Sequence, residues 1–422
     1  MPRAGCTPET CVPTLAIQNF VALESHQRLR LKPFAYVTRV RVVALAALLL
    51  LFSHSALAQN TRPGPADSPR EFNMLVLGDS ILWGQGLKEQ NKSWHLVKTW
   101  LQTNGHSVRE RIEAHAGAMI GAAGAEMPKM LTVHGEIASA YPTLHDQIDN
   151  AVRSYVDPSH VDLVLVDGCI NDVDARRFLN AGNTPERIQA LAREKCGIPV
   201  EELLGRIAST FPNAHIIVSG YYPVFSDKTP RDFFMRALAK RFYAALVPNG
   251  PKISSREMLA RLTIISAAWH AASNAALSDA VARANARLLA RGTRQRVLFA
   301  KITFEPEHAF SARKSQLWGF DASFLRKLLV LLTLGRVDLR TNDEVSSLRS
   351  AACRDFYKSV PGESEHEKRL RKDRLMVCRL AAIAHPNRKG AALYADAIKE
   401  QMQNLIRHPG WLRAATTGAP AK

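Results

Sequence analysis

The chain repeatedly switches between short continuous apolar runs and longer stretches in which apolar residues recur every third or fourth position. Met74, Leu75, Val76 and Leu77 form the first such run, read as a buried strand ended by the breaker Gly78. Residues 93–104 carry a helical pattern that stops at Gly105, and 108–114 read as a second strand. The alternation continues with helix 144–155, strand 161–166, helix 200–211 and strand 214–219, and 297–303 is a last core strand. Strands alternating with helices predict an α/β class: a three-layer sandwich whose mainly parallel sheet is covered on both faces. The turns after the strands then share one edge.

The remaining pattern is less regular. Residues 226–294 are mainly helical, most clearly at 233–246 and 264–289. Residues 304–380 read as irregular and charged, broken by the apolar run 328–334, which is taken as a buried helix turn. The region of approximately 225–380 is thus a long helical and irregular insertion into a smaller core. A final helix covers 391–406, preceded by His385 in a loop, with Pro386 at a helix start and Asn387 as a cap. No repeat of solenoid or propeller period is present.

The N-terminus changes the expected compartment. Arg39 and Arg41 precede an apolar run over 42–52 that is too short to span a bilayer, and Ala56-Leu57-Ala58 follows. Residues 1–58 therefore read as a signal peptide with an extended N-terminus, cleaved near Ala58, and 59–70 as a Pro-rich linker. One domain is expected over 71–410, with 411–422 a tail. The expected location is periplasmic or secreted. The formal charge is +18; residues 1–58 hold six Lys/Arg and two Glu, leaving +14 after cleavage. The basic residues are scattered, without an RRM, zinc-finger or basic-zipper pattern, which argues against specific nucleic-acid binding and leaves an anionic envelope surface as a candidate partner. Export favours pairing of Cys169, Cys196, Cys353 and Cys378 over metal binding, and nearest neighbours are the expected pairs, Cys169 with Cys196 and Cys353 with Cys378.

Chemistry concentrates in the turns. Ser80 lies at the tip of the first strand and is the candidate nucleophile; Asp79 is expected to brace its turn. Serine acyl transfer needs a base in hydrogen-bond reach and donors for an oxyanion. His385 is the candidate base. The Ser80 amide, the Gly117 amide and the Asn171 side chain are candidate donors, with Gly121 in the same turn as Gly117. Tyr221, Tyr222 and Trp318 are candidates to line an acyl or sugar pocket, against the commoner reading of loop aromatics as packing.

Gly78-Asp79-Ser80 with Trp83-Gly84, then Gly117, then Gly168-x-x-Asn171-Asp172, then His385-Pro386-Asn387 resembles the SGNH family of GDSL-type lipases and esterases. Its four name-giving residues correspond to Ser80, Gly117, Asn171 and His385. The resemblance implies a flavodoxin-like α/β/α sandwich, no cofactor and no metal, and hydrolysis of small-molecule or lipid carboxylic esters through an acyl-serine. One position departs from the family: three residues before the histidine, where an Asp is usual, stands Ala382. Either a backbone carbonyl near Ala382 orients His385, giving a dyad, or an acid from elsewhere does, with Asp172 and Asp396 the first to examine. A polysaccharide O-acyl esterase or acyltransferase, or a non-catalytic envelope-binding protein on the same fold, are the alternatives.

Overall fold

The computed structural model describes residues 71–121, 134–247, 250–321 and 340–406. The expected signal peptide, linker and tail and the apolar run 328–334 lie outside the described residues. A five-stranded parallel sheet forms the centre, in the order β2-β1-β3-β4-β5. Its strands are β1 (Phe72–Leu77), β2 (Val108–Ile112), β3 (Val161–Val166), β4 (His215–Ser219) and β5 (Val297–Ala300). The helices of the first half are α1 (Ser93–Thr103), α2 (Leu144–Ser154), α3 (Pro185–Cys196) and α4 (Ile198–Thr210). Those of the second half are α5 (Phe233–Leu246), α6 (Ser255–Ala290), α7 (Ser346–Phe356), α8 (Glu365–Arg379) and α9 (Arg388–Ile406).

The central strands β1, β3 and β4 bury both faces, and alternate residues separate cleanly between them. Met74, Val76, Leu163, Leu165 and Ile217 pack on one side with Trp94, Val97 and Leu101 of α1 and Ile398 and Met402 of α9. Leu75, Leu77, Val164, Val166, Ile216 and Val218 pack on the other with Ile148 of α2, Ile188 of α3 and Leu203 and Ile207 of α4. The long α6 joins that second layer through residues at three- and four-residue spacing: Leu262, Ile265, Trp269, Ala272, Ala276, Ala280 and Ala284. The expected α/β sandwich is therefore present. The order places β1 between β2 and β3, so the chain reverses direction across the sheet there, which is where open sheets of this kind present ligand-binding crevices.

Several elements differ from the sequence expectation. Helix α3 was not expected; Thr184 caps it and Pro185 opens it, but its buried residues Ile188, Ala192 and Cys196 are sparse among charges. Helix α6 starts at Ser255, where Ser254 accepts from the Glu257 amide, rather than at 264. Residues 304–380 are not simply irregular: they contain α7 and α8, the latter begun by a capping box of Ser364 and Glu367. Their high charge reflects exposure of α8, which buries only Cys378. Both expected disulfides are present, Cys169–Cys196 and Cys353–Cys378. Loops of 27 and 25 residues closed in this way stabilise by roughly 3 kcal/mol each in the chain-entropy account.

Candidate active site

Ser80 opens a single helical turn, Ser80–Trp83, directly beyond β1. Asp79 caps that turn by accepting from the Ile81 amide at 2.9 Å. Gly78 precedes it at φ 145°, and a Cβ there would lie 1.9 Å from Asp167 Oδ1, so only glycine admits the Asp167 carboxylate. Asp167 accepts from the amides of Asp79 at 2.7 Å and Leu82 at 2.9 Å. Gln147 of α2 grips the same strand end from the side, accepting from the Gly78 amide at 2.8 Å and donating to its carbonyl at 3.0 Å. The turn is thus held through its backbone, leaving the serine hydroxyl available.

That hydroxyl lies 2.7 Å from Nε2 of His385, although the two residues are 305 positions apart. The other ring nitrogen, Nδ1, faces the carbonyl of Ile383 at 3.3 Å. With Nδ1 protonated toward that carbonyl, Nε2 carries the lone pair required to accept a proton from Ser80. Desolvation pushes the imidazole down to about 4; the Ile383 carbonyl acts in the opposite sense and the charge of Arg349 reinforces the fall. The imidazole of His385 is therefore neutral at ordinary pH.

The histidine loop is clamped on both sides. Ala384 sits at φ 62°, a left-handed conformation unfavourable for alanine, and holds it because its amide donates to Trp318 O at 2.9 Å while its carbonyl accepts from the Tyr222 hydroxyl at 2.7 Å. Trp318 returns its own amide to the His385 carbonyl at 2.8 Å. Asn387 accepts from the Lys389 and Gly390 amides at 2.9 and 3.2 Å, fixing the start of α9.

The other expected residues lie on adjoining turns. Gly117 is left-handed at φ 82°, and the Asn171 amide donates to the Ala118 carbonyl at 2.9 Å, joining the turn after β3 to the turn after β2. The Ser80 amide is at the first position of its helical turn, where an N–H has no carbonyl within the helix. Asp172 does not face the histidine: its carboxylate accepts from the Ile120 amide at 3.1 Å and so braces the Gly117 turn. Asp396 is also elsewhere, on α9 in an exposed ion pair with Lys399 at 3.2 Å. Of the two ways to orient His385, the carbonyl is the one in contact: Ile383 O faces Nδ1, and the neighbouring Ala382 carbonyl also favours the charged ring.

Tyr221, Tyr222 and Trp318 are all buried. Tyr221 donates to Asp79 Oδ2 at 3.2 Å and lies tilted against Trp269 with ring centres 5.3 Å apart, so the packing reading describes these aromatics better than a pocket lining. Asp167, Gln147 and Tyr222 carry the site's hydrogen bonds without having been singled out for that purpose. Asp79 and Asp167 form a fully buried carboxyl pair. Burial raises Asp79 to about 7, and burial and then the Asp79 charge raise Asp167 well above the carboxylate range.

No family model matches the chain, and no curated protein does. Solved structures similar to it include phospholipase A1 from Streptomyces albidoflavus NA297, at 14% identity over 60% of this chain and 89% of that one, with a TM-score of 0.38. An extracellular lipase from Streptomyces rimosus matches at 15% identity over 61% of this chain and 90% of the other, with a TM-score of 0.35. A family 3 carbohydrate esterase from Clostridium thermocellum matches at 16% identity over 55% and 79%, with a TM-score of 0.27. All three are lipases or esterases by name. Likeness this distant carries no weight for activity, which has to be read from the geometry.

Proposed function

We propose that the chain is an exported serine hydrolase that cleaves carboxylic esters through an acyl-serine, using a Ser80–His385 dyad. The single observation that supports this most is the 2.7 Å approach of Ser80 Oγ to His385 Nε2, with the Ile383 carbonyl behind the ring. His385 takes the Ser80 proton as Oγ attacks the ester carbonyl. The tetrahedral oxyanion is received by the Ser80 and Gly117 amides and the second N–H of the Asn171 side chain, whose first is committed to Ala118. His385 then returns the proton to the leaving alcohol, and water, deprotonated by the same imidazole, releases the acid. The disulfides fit an oxidising compartment, and among the described residues no helix is long and apolar enough to cross a membrane.

A fluorophosphonate probe tests the reading. The folded protein is expected to be labelled at Ser80, and Ser80→Ala is expected to lose labelling and at least ~1,000-fold of p-nitrophenyl ester hydrolysis. Asp172→Asn and Asp396→Asn are each expected to retain most activity, because neither carboxylate touches His385; a collapse on the scale of Ser80→Ala would reject the dyad. An unlabelled protein that is indifferent to Ser80→Ala would reject the enzyme.

A further inference from the structure

A second centre of organisation lies behind the Ser80–His385 pair. Arg349 of α7 is 0% exposed. Its Nη1 donates to Glu136 Oε2 and to Asp343 Oδ1, each at 3.0 Å, and its Nη2 donates to Thr341 Oγ1 at 2.8 Å and to Asp343 Oδ2. Its Nε donates to the Arg379 carbonyl at 3.2 Å. Glu136, Asp343 and Lys92 are buried as well, and the Lys92 amine sits 3.6 Å from the centre of the Trp83 ring. The cluster therefore balances two cations against two carboxylates. Apolar side chains of similar volume often stabilise a protein as well as such a cluster does, so bulk stability alone does not account for it.

What the cluster touches does. Glu136 accepts from Trp83 Nε1 at 3.0 Å, from Gln85 Nε2 at 3.1 Å and from the Gly86 amide at 3.3 Å, all on the loop that continues from the Ser80 turn. Its neighbours bracket the Gly117 turn: the Ala116 amide donates to the Gly135 carbonyl at 3.3 Å, and the Ser139 amide to the Ala116 carbonyl at 2.8 Å. Arg379, whose carbonyl Arg349 holds, begins the segment that leads to His385. On the other side Glu344, adjacent to Asp343, donates its amide to the Gly86 carbonyl at 3.0 Å. The Cys353–Cys378 disulfide ties α7 to α8 beside the same bond, one helical turn after Arg349 and immediately before Arg379. One guanidinium thus joins the nucleophile loop, the segment backing the Gly117 turn and the root of the histidine loop.

We propose that Arg349 is the positioning residue of this centre, locking the three loops in register through Glu136, Asp343 and the Arg379 carbonyl in place of an acid hydrogen-bonded to His385. The assignment rests on the esterase reading. Arg349 also acts on the imidazole through its charge, opposing protonation while Asp343 favours it. The Ser80 hydroxyl and the Tyr222 phenol also contact the loop.

The test is steady-state kinetics of the full chain on a p-nitrophenyl ester, with active sites counted by fluorophosphonate. Arg349→Gln is expected to lower kcat at least ~10-fold with KM unchanged, because loops displaced by fractions of an ångström lose attack geometry. It is also expected to move the acid limb of kcat/KM up by about half a pH unit or more, since the remaining carboxylates favour the imidazolium. Arg349→Lys keeps the charge but loses the planar fork, so kcat falls while the limb stays in place. Asp343→Asn moves the limb down, and it carries the test if Arg349→Gln does not fold. A merely structural Arg349 lowers the melting temperature but leaves titrated kcat within about twofold and the limb unmoved, and that result overturns the proposal. Failure of the wild-type protein to take the probe overturns the esterase reading, and this role with it; normal wild-type labelling with indifferent variants overturns only the role of Arg349.

Discussion

The Tyr222 hydroxyl donates to the carbonyl of Ala384 at 2.7 Å, so a buried phenol beyond β4 holds the residue immediately before His385 in its left-handed conformation. Strain of this kind persists only where the surroundings over-determine it, and here it turns the imidazole toward Ser80.

Tyr222→Phe removes that bond and leaves the Ala384 carbonyl without its donor. The expected loss of stability is about 1–3 kcal/mol, the cost of an unsatisfied buried acceptor. Turnover is expected to fall several-fold with KM unchanged, because the lost bond acts through the histidine loop. Urea denaturation and p-nitrophenyl ester kinetics on the same preparation check both; an unchanged kcat would mean that Trp318 alone fixes the loop.

On the proposed dyad, His385 is expected to set the pH dependence at the acid end. Desolvation holds the imidazole at about 4, so the base is neutral above that value, and kcat/KM is expected to stay level down to pH ~5 and fall below it. Stability follows the same group with a definite sign. Between the ordinary value of 6.5 and about 4 the unfolded chain binds a proton that the folded chain does not, so His385 contributes a loss of stability as pH falls through that window. His385→Gln is expected to flatten that part of the stability curve. A kinetic limb near 6.5 in the free enzyme would contradict this account.

The carboxyl pair beneath the nucleophile turn has the opposite sign. Burial raises Asp79 from 3.8 to about 7, so in that interval the folded chain keeps a proton that the unfolded chain has lost, and stability falls as pH rises from about 4 to about 7. Asp79→Asn keeps an oxygen for the Ile81 amide and removes the charge that repels Asp167. The variant is expected to show a smaller decline in urea midpoint between pH 5 and pH 8 than the wild type. Equal declines in the two proteins would place the shared proton elsewhere.

Much of this was legible along the chain. Strands β1, β3, β4 and β5 are short, mainly apolar runs, the first three ended by glycine or a polar turn, and such a run has one economical place in a two-sided sheet. Ser80 and Asn171 could be singled out because each stands on a turn after a strand, and His385 because it stands in the loop before the terminal helix. Helices α3 and α8 escaped because their faces are mostly charged: α8 buries only Cys378, so periodicity had almost nothing to register, although Thr184-Pro185 and Ser364 with Glu367 announce both starts.

The sequence by itself determined the α/β class and the order of serine, glycine, asparagine and histidine along the chain. These follow from local periodicity, breakers and spacing, which act over a few residues. Only the tertiary structure decided that β1 lies between β2 and β3, that the Ile383 carbonyl rather than Asp172 or Asp396 faces His385, and that Arg349 is buried between Glu136 and Asp343. Arg349 and Glu136 are 213 positions apart, and in sequence each is one more charged residue in a basic chain. A charge becomes part of the machinery only when packing removes its water and chooses its partner, and that choice is made by the fold as a whole.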